Sequence, residues 1–220
     1  MPINFLQKIR DCWENNIQIK SLKYVKERQQ NPRITTGFLG SPFYSAIQLY
    51  LMISKDVEGN EYIVTASDLA WRPSAYGIVI RENKILLVKE NGKFHLPGGG
   101  IDLGENPKEA VIREVREETG IAVANPRILN AESSFFTWQS IDQPPKLEHV
   151  HSILLYYACD YIGGSLGDVL LDEYEKLAGL TPEWLDVAKL PNVPVGTTVD
   201  WRIIVRQSVQ AQSHKAGKDN

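Results

Sequence analysis

The sequence predicts an α/β domain preceded by an N-terminal extension. Short apolar runs separated by turn residues indicate strands between residues 74 and 160. A single helix, expected from about Pro107 to Thr119, interrupts these strands and has start and stop signals at its two ends. Because the earlier residues follow a different pattern, we divide the chain into three parts: an extension of residues 1–70, a domain of 71–206 and a polar, disordered tail of 207–220.

The extension is expected to contain a helix and a β-hairpin. Residues 4–30 have helical composition, with apolar side chains recurring every three to four positions. Two apolar runs, Phe43 to Ile53 and Tyr62 to Trp71, flank a turn that contains Gly59 and therefore suggest the hairpin, although a helix for the first run stays open.

In the domain, apolar runs around the turns at 82–83 and 91–92 predict three strands before the helix. Further strands are expected at 122–131, 133–138 and 149–160. An acidic segment follows, and a last helix is expected to begin near Thr197 or Thr198.

Composition excludes several classes of protein. Only Cys12 and Cys159 occur among 220 residues, and they lack CxxC spacing, so neither a disulfide framework nor a structural zinc site is indicated. A formal net charge of -3 argues against a general nucleic-acid binder. No apolar run approaches the roughly 18 residues of a membrane span. We therefore expect a cytoplasmic protein without stable nucleic-acid or membrane partners.

The predicted helix groups three carboxylates. Residues three and four positions apart share one helix face, so Glu114, Glu117 and Glu118 fall within an arc of about 100°. Val111 and Val115 lie roughly opposite and should face the core. Such carboxylates repel one another unless a divalent cation binds them. A solvated acidic face is the simpler alternative for this cluster considered alone.

The segment before the helix favours a ligand site. The run Pro97-Gly98-Gly99-Gly100 removes side chains where a backbone must turn or approach a ligand closely. Because it follows a predicted strand and precedes the helix, its backbone groups should face the same cleft as the glutamates.

The stretch from Gly99 to Ile121 resembles the Nudix box, GX5EX7REUXEEXGU, in which U is a bulky aliphatic residue. Gly99, Glu105 and the run 113–121, REVREETGI, match every specified position. The resemblance implies an α/β/α sandwich with a mixed β-sheet. It also implies Mg²⁺- or Mn²⁺-dependent hydrolysis of a small-molecule nucleoside diphosphate linked to another moiety.

Roles follow from position in the box. The resemblance implies that Glu117 and Glu118 bind metal, that Glu114 is a ligand or the base that activates water, and that a carbonyl of Gly98 or Gly99 is a further ligand. Two other box residues would orient these groups: Arg113 and Glu105.

Some family members take their base from a loop after the box. Here the acidic segment with Asp168, Asp172, Glu173 and Glu175 is the obvious source, and we favour Glu173. A solvated helical face is the alternative for each of these residues.

Residues outside the box leave the substrate open. Phe135 and Phe136 stand where a proline would resemble ADP-ribose hydrolases, and Trp138 stands where a tyrosine would resemble diadenosine polyphosphate hydrolases. The arrays typical of NADH and coenzyme A hydrolases are absent. Phe136 and Trp138 are candidates for stacking a base, and Arg72 for contacting a phosphate; core aromatic residues and a surface arginine are the alternatives.

Two other functions are alternatives or additions to hydrolysis. A non-catalytic regulator that keeps the fold for ligand binding usually loses box glutamates, and all of them are present here. The extension is expected to serve as a homodimerisation arm or as a substrate-specificity module, and either use is compatible with hydrolysis.

Overall fold

The computed structural model describes residues 51–140, 144–171 and 173–207. The predicted helix over residues 4–30, most of the first hairpin run and the tail beyond residue 207 lie outside these ranges. Across the described ranges, no helix combines the length and the apolar composition needed to span a bilayer.

The described residues form a ten-stranded sheet with the main order β10-β5-β4-β9-β8-β1-β2. The strands are β1 (Met52–Lys55), β2 (Glu61–Val64), β3 (Leu69–Trp71), β4 (Ser74–Arg81), β5 (Lys84–Glu90), β6 (Lys93–His95), β7 (Gly98–Gly100), β8 (Ile121–Gln139), β9 (Leu147–Gly164) and β10 (Thr181–Asp186). The sheet is mixed, because β9 runs parallel to β3 and β4 and antiparallel to β8.

Three α-helices accompany this sheet in the described part of the chain: α1 (Pro107–Thr119), α2 (Glu173–Leu177) and α3 (residues 201–207). Alternate side chains of a strand point to opposite faces, so Ile85 and Leu87 pack with α3, whereas Leu86 packs with α1. Two apolar clusters therefore lie on the two faces of the sheet, and the predicted α/β/α sandwich is confirmed.

The predicted central helix has the expected bounds and caps. The Asn106 side chain accepts a hydrogen bond from the Lys108 amide, and Pro107 takes the first helical position. Gly120 ends the helix with φ 76°, a left-handed conformation that favours glycine. Val111 and Val115 are fully buried against the sheet, as predicted.

Three expected element boundaries were wrong. The strands predicted at 122–131 and 133–138 form one strand, β8, whose irregularities are bulges against β9. The run from Tyr62 breaks after Val64, because the Asp68 carboxylate accepts from the Thr65 amide and closes a 3₁₀ turn before β3. The last helix begins at residue 201, where Asp200 accepts from the Arg202 amide.

The described end of the extension joins this sheet through β1, β2 and the first two residues of β3. The hairpin β1–β2 is confirmed, with Met52 opposite Val64 and Lys55 opposite Glu61. Lys55 also pairs with Phe136 of β8, and β3 pairs with β9. This part of the extension thus adds β1 and β2 to one edge of the sheet formed by the 71–206 domain.

Candidate active site

A cavity of about 550 Å³ opens between the carboxyl-bearing face of α1, strand β7 and the β8–β9 hairpin. Its lining includes the side chains of Glu114 and Glu118 from α1 and of Glu175 from α2. One carboxylate oxygen from each of these three residues lies within 4.8 Å of the other two. Helix α1 therefore delivers two acidic groups into the cavity and α2 delivers the third.

The two α1 carboxylates are almost completely buried, with Glu114 9% and Glu118 6% exposed. Burial raises the pKa of Glu118 well above its usual range; a hydrogen bond from the Gly98 amide opposes this rise, and the charges of Glu114 and Glu175 add to it. Burial also raises the pKa of Glu114, and Arg113 opposes the rise. Ionising both Glu114 and Glu118 without a cation is therefore unfavourable.

The Arg113 guanidinium organises the box. Its Nε and Nη2 atoms donate to both oxygens of Glu105 at 2.8 and 2.9 Å. Its Nη1 donates to Glu114 and Glu117 at 2.9 and 3.0 Å, and Nη2 also reaches the carbonyl of Gly100 at 3.1 Å. The arginine thus fixes three carboxylates and the glycine strand relative to one another.

Glycines in β7 let the backbone approach these groups. The Gly98 amide donates to Glu118 Oε2 at 2.8 Å. A Cβ atom on Gly99 would lie 2.9 Å from the Glu114 carboxylate, and one on Gly100 would lie 3.2 Å from the Arg72 guanidinium. Gly99 and Gly100 thus make room for one acidic and one basic side chain beside a single short strand.

Other polar and aromatic residues complete the lining. The Arg72 guanidinium lies 5.8 Å from the ring centroid of Trp138, whose Nε1 donates to Glu148 at 3.0 Å. His95 and Glu90 also line the cavity, with 3.4 Å between His95 Nε2 and Glu90 Oε2. Burial lowers the pKa of His95 to about 4, and the nearby charge of Lys93 adds to this effect.

The structure brings most of the predicted site residues together. Those that line the cavity are Gly98, Gly99, Glu114, Glu118, Arg72, Phe136 and Trp138. Glu105, Arg113 and Glu117 form the polar network beside it, with the Glu117 carboxylate held by Arg113 and outside the cavity lining.

The acidic segment contributes Glu175 rather than Glu173. Glu173 begins α2, is exposed and is absent from the cavity lining. Two residues along a helix point about 200° apart, so only one of the two glutamates can face the cavity. The sequence did not reveal which one, because the orientation of this short helix is set by its contacts in the fold.

The donor set fits a hard divalent cation. Carboxylate oxygens are the ligands that Mg²⁺ and Mn²⁺ prefer, and two of the three carboxylates are buried with raised pKa values. The single positive charge of Arg113 is shared among three carboxylates of the box. A cation at Glu114, Glu118 and Glu175 would neutralise the remaining acidic charge.

Two curated proteins are similar to this chain over part of its length. An ADP-ribose pyrophosphatase from Methanocaldococcus jannaschii is 39% identical over 95 residues, which cover 41% of this chain and 51% of that protein. An NAD-capped RNA hydrolase NudC from Vibrio atlanticus is 33% identical over 124 residues, which cover 54% of this chain and 39% of that protein. The chain thus spans about half the length of the curated relatives it matches.

A solved structure of a NUDIX hydrolase from Nitrosomonas europaea is 17% identical, with a TM-score of 0.47, and the match covers 65% of this chain and 90% of that chain. The sequence model of the NUDIX domain family matches residues 71–206, which include the helix, the glycine strand and the carboxylates described above. The chain therefore belongs to the NUDIX domain family.

Proposed function

We propose that this protein hydrolyses the pyrophosphate bond of a nucleoside diphosphate linked to another moiety. The observation that carries the proposal is the convergence of three carboxylates, from Glu114, Glu118 and Glu175, in one cavity beside a glycine strand. Retention of every box glutamate favours hydrolysis over a purely ligand-binding role.

Glu114 and Glu118 would hold Mg²⁺ or Mn²⁺, and the Glu175 carboxylate is close enough to be either a third ligand or the base. When bound, such an ion neutralises phosphate charge and lowers the pKa of a coordinated water. Glu117 and the carbonyls of Gly98 and Gly99 stay predicted ligands on the strength of the box alone. In the structure, Glu117 accepts from Arg113, which also keeps Glu114 oriented toward the cavity.

Glu175 is our candidate for the general base. Hydrolysis requires a carboxylate that takes a proton from the attacking water while a new phosphorus–oxygen bond forms and the bridging phosphorus–oxygen bond breaks. Glu175 lies within 4.8 Å of both α1 carboxylates and is carried on a separate element, α2. Arg113 and Glu105 act as positioning residues.

ADP-ribose and NAD are the first substrates to test. One relative is named an ADP-ribose pyrophosphatase and another an NAD-capped RNA hydrolase. A free nucleotide derivative of this kind would place phosphate near Arg72 and a base against Phe136 or Trp138, all of which line the cavity. The cytoplasmic location expected above stays a prediction.

The test is a hydrolysis panel of ADP-ribose, NAD, NADH, nucleotide sugars, nucleoside triphosphates and dinucleoside polyphosphates with Mg²⁺ or Mn²⁺. We expect metal-dependent cleavage of at least one compound and a loss of more than about 100-fold in kcat for Glu118→Gln. Electron paramagnetic resonance of Mn²⁺ should show weakened binding by the same variant. The surface variant Glu132→Gln serves as the control.

Unchanged turnover in excess EDTA would defeat the metal-dependent mechanism. Turnover by Glu118→Gln equal to that of Glu132→Gln would show that the carboxylate cluster is not needed for catalysis. Failure of every compound in the panel, with Mn²⁺ still bound, would instead favour the ligand-binding role.

A further inference from the structure

The β1–β2 hairpin contributes to the cavity although it precedes the residues that match the NUDIX family. Lys55, at the end of β1, and Val57, in the turn, both line the cavity. The family match begins at residue 71. These two residues are therefore a feature of this chain that membership of the family does not predict.

Hydrogen bonds hold the hairpin in place at its base and at its tip. At the base, buried Ser54 Oγ lies 2.7 Å from Thr137 Oγ1, which lies 2.8 Å from His149 Nδ1. At the tip, Lys93 Nζ donates to the Val57 carbonyl at 3.1 Å. The hairpin thus connects β8 and β9 to the start of β6, and its backbone is fixed beside the cavity.

Lys55 brings a positive charge into a largely acidic site. Among the described residues that line the cavity, Lys55 and Arg72 are the only Lys and Arg side chains. Lys55 Nζ lies 3.3 Å from Glu61 on the paired strand, and about half of the Lys55 side chain is exposed, at 51%. Such a partly exposed ion pair is weak, so the ammonium group can exchange Glu61 for a substrate oxygen.

A pyrophosphate needs cations beyond those at the carboxylate cluster. Its two phosphates carry negative charge that the carboxylates of Glu114 and Glu118 repel, and a cation bound by those carboxylates is shared with them. The remaining phosphate charge must be met by protein donors, and an ammonium group offers three of them. Lys55 is positioned by its backbone pairing with Phe136, itself a lining residue.

We propose that Lys55 binds the phosphate oxygens of the substrate, which makes the β1–β2 hairpin a specificity element for nucleoside diphosphate derivatives. This inference rests on the proposed function and assigns to the extension a role within its own chain.

The test measures binding of α,β-methylene-ADP, a non-hydrolysable probe, by calorimetry in Mg²⁺ buffer. Lys55→Gln should raise the Kd about tenfold and weaken its dependence on salt, whereas Lys55→Arg should stay within about threefold of wild type. The control is Lys84→Gln, which removes an exposed charge from β5 outside the cavity lining and should leave the Kd unchanged. With the substrate found by the hydrolysis panel, Lys55→Gln should raise KM and keep kcat within about twofold.

An unchanged Kd in Lys55→Gln, or no probe binding by wild-type protein, would overturn this role of Lys55. A fall in kcat with an unchanged KM would also overturn it, because that result indicates a structural or chemical defect. Tenfold weaker probe binding in the variant, combined with no turnover of any compound by wild-type protein, would support Lys55 and refute the proposed hydrolysis.

Discussion

Glu173 and Glu175 are two residues apart on α2 and have different surroundings. Glu175 reaches the carboxylates of α1, whereas Glu173 is exposed. If Glu175 accepts the proton of the attacking water, Glu175→Gln should lower kcat by about 100-fold or more, because an amide cannot act as a base. Glu173→Gln should retain wild-type kcat within about twofold. Steady-state hydrolysis by the two variants, measured side by side, checks this prediction.

The pair of variants also separates a base from a ligand. If Glu175 acts chiefly as a base, Mn²⁺ titration should show little change in metal affinity beside the loss of kcat, and raising the metal concentration should not restore the rate. Recovery of the rate at high metal concentration would show that Glu175 binds metal. A larger loss of kcat in Glu173→Gln than in Glu175→Gln would show that Glu173 is the base.

The residues of the box were predictable because their spacing determines which helix face they share. Glu114 and Glu118 differ by one turn, and the apolar face of α1 directs both toward the cavity. Burial of these two carboxylates was not predictable, since it depends on the distant α2 and on β7. Lys55 was missed for the same reason: no local pattern places a residue of β1 beside Phe136 of β8.

At the scale of elements, the position of α1 depends on a glycine in the strand beneath it. A Cβ atom on Gly77 of β4 would lie 2.6 Å from Cγ2 of buried Val115 and 3.4 Å from Cγ2 of Val111. Gly77→Ala should therefore lower the free energy of unfolding by about 1–3 kcal/mol through overpacking. Urea unfolding followed by circular dichroism measures this change.

A double-mutant cycle identifies the cause. Val115→Ala alone should destabilise the protein, because it leaves a cavity. In the double variant Gly77→Ala/Val115→Ala the new methyl group has room, so the combined loss should be smaller than the sum of the two single losses by about 1 kcal/mol. Strict additivity would show that contact with Val115 is not what excludes a side chain at position 77.

Helix α1 and most strands were predictable because their signals lie in neighbouring residues of the sequence. The order of the strands in the sheet depends on pairing between residues far apart in the chain. Ser74 pairs with Leu154, and Ala75 with Leu155, in a parallel arrangement that no turn residue specifies. The β8–β9 hairpin was predictable in outline, but its bulges are set by the match between two long twisted strands. The mixed sheet thus followed from the family resemblance rather than from local patterns.

At the scale of the whole molecule, burial of His95 should make stability depend on pH. Its pKa is about 4 in the folded protein, owing first to burial and then to Lys93, against about 6.5 in an unfolded chain. Below pH 6.5 the unfolded chain therefore binds a proton that the folded protein does not. As the pH is lowered from 6.5 to about 4, this difference reduces the free energy of unfolding. The expected loss from this group is about 2 kcal/mol between pH 7 and pH 5.

Carboxyl groups whose pKa is raised in the folded protein have the opposite effect, because they favour folding as the pH falls. Half-buried Glu90 and buried Glu114 and Glu118 belong to this group. Comparing wild-type protein with His95→Gln in metal-free buffer largely cancels their contribution. Urea unfolding at pH 7 and pH 5 should show that the wild-type protein loses about 2 kcal/mol more than the variant. Equal losses in the two proteins would mean that His95 is protonated to the same extent in the folded and unfolded states. Its ring would then either reach solvent or be stabilised in its protonated form by the Glu90 carboxylate, 3.4 Å away.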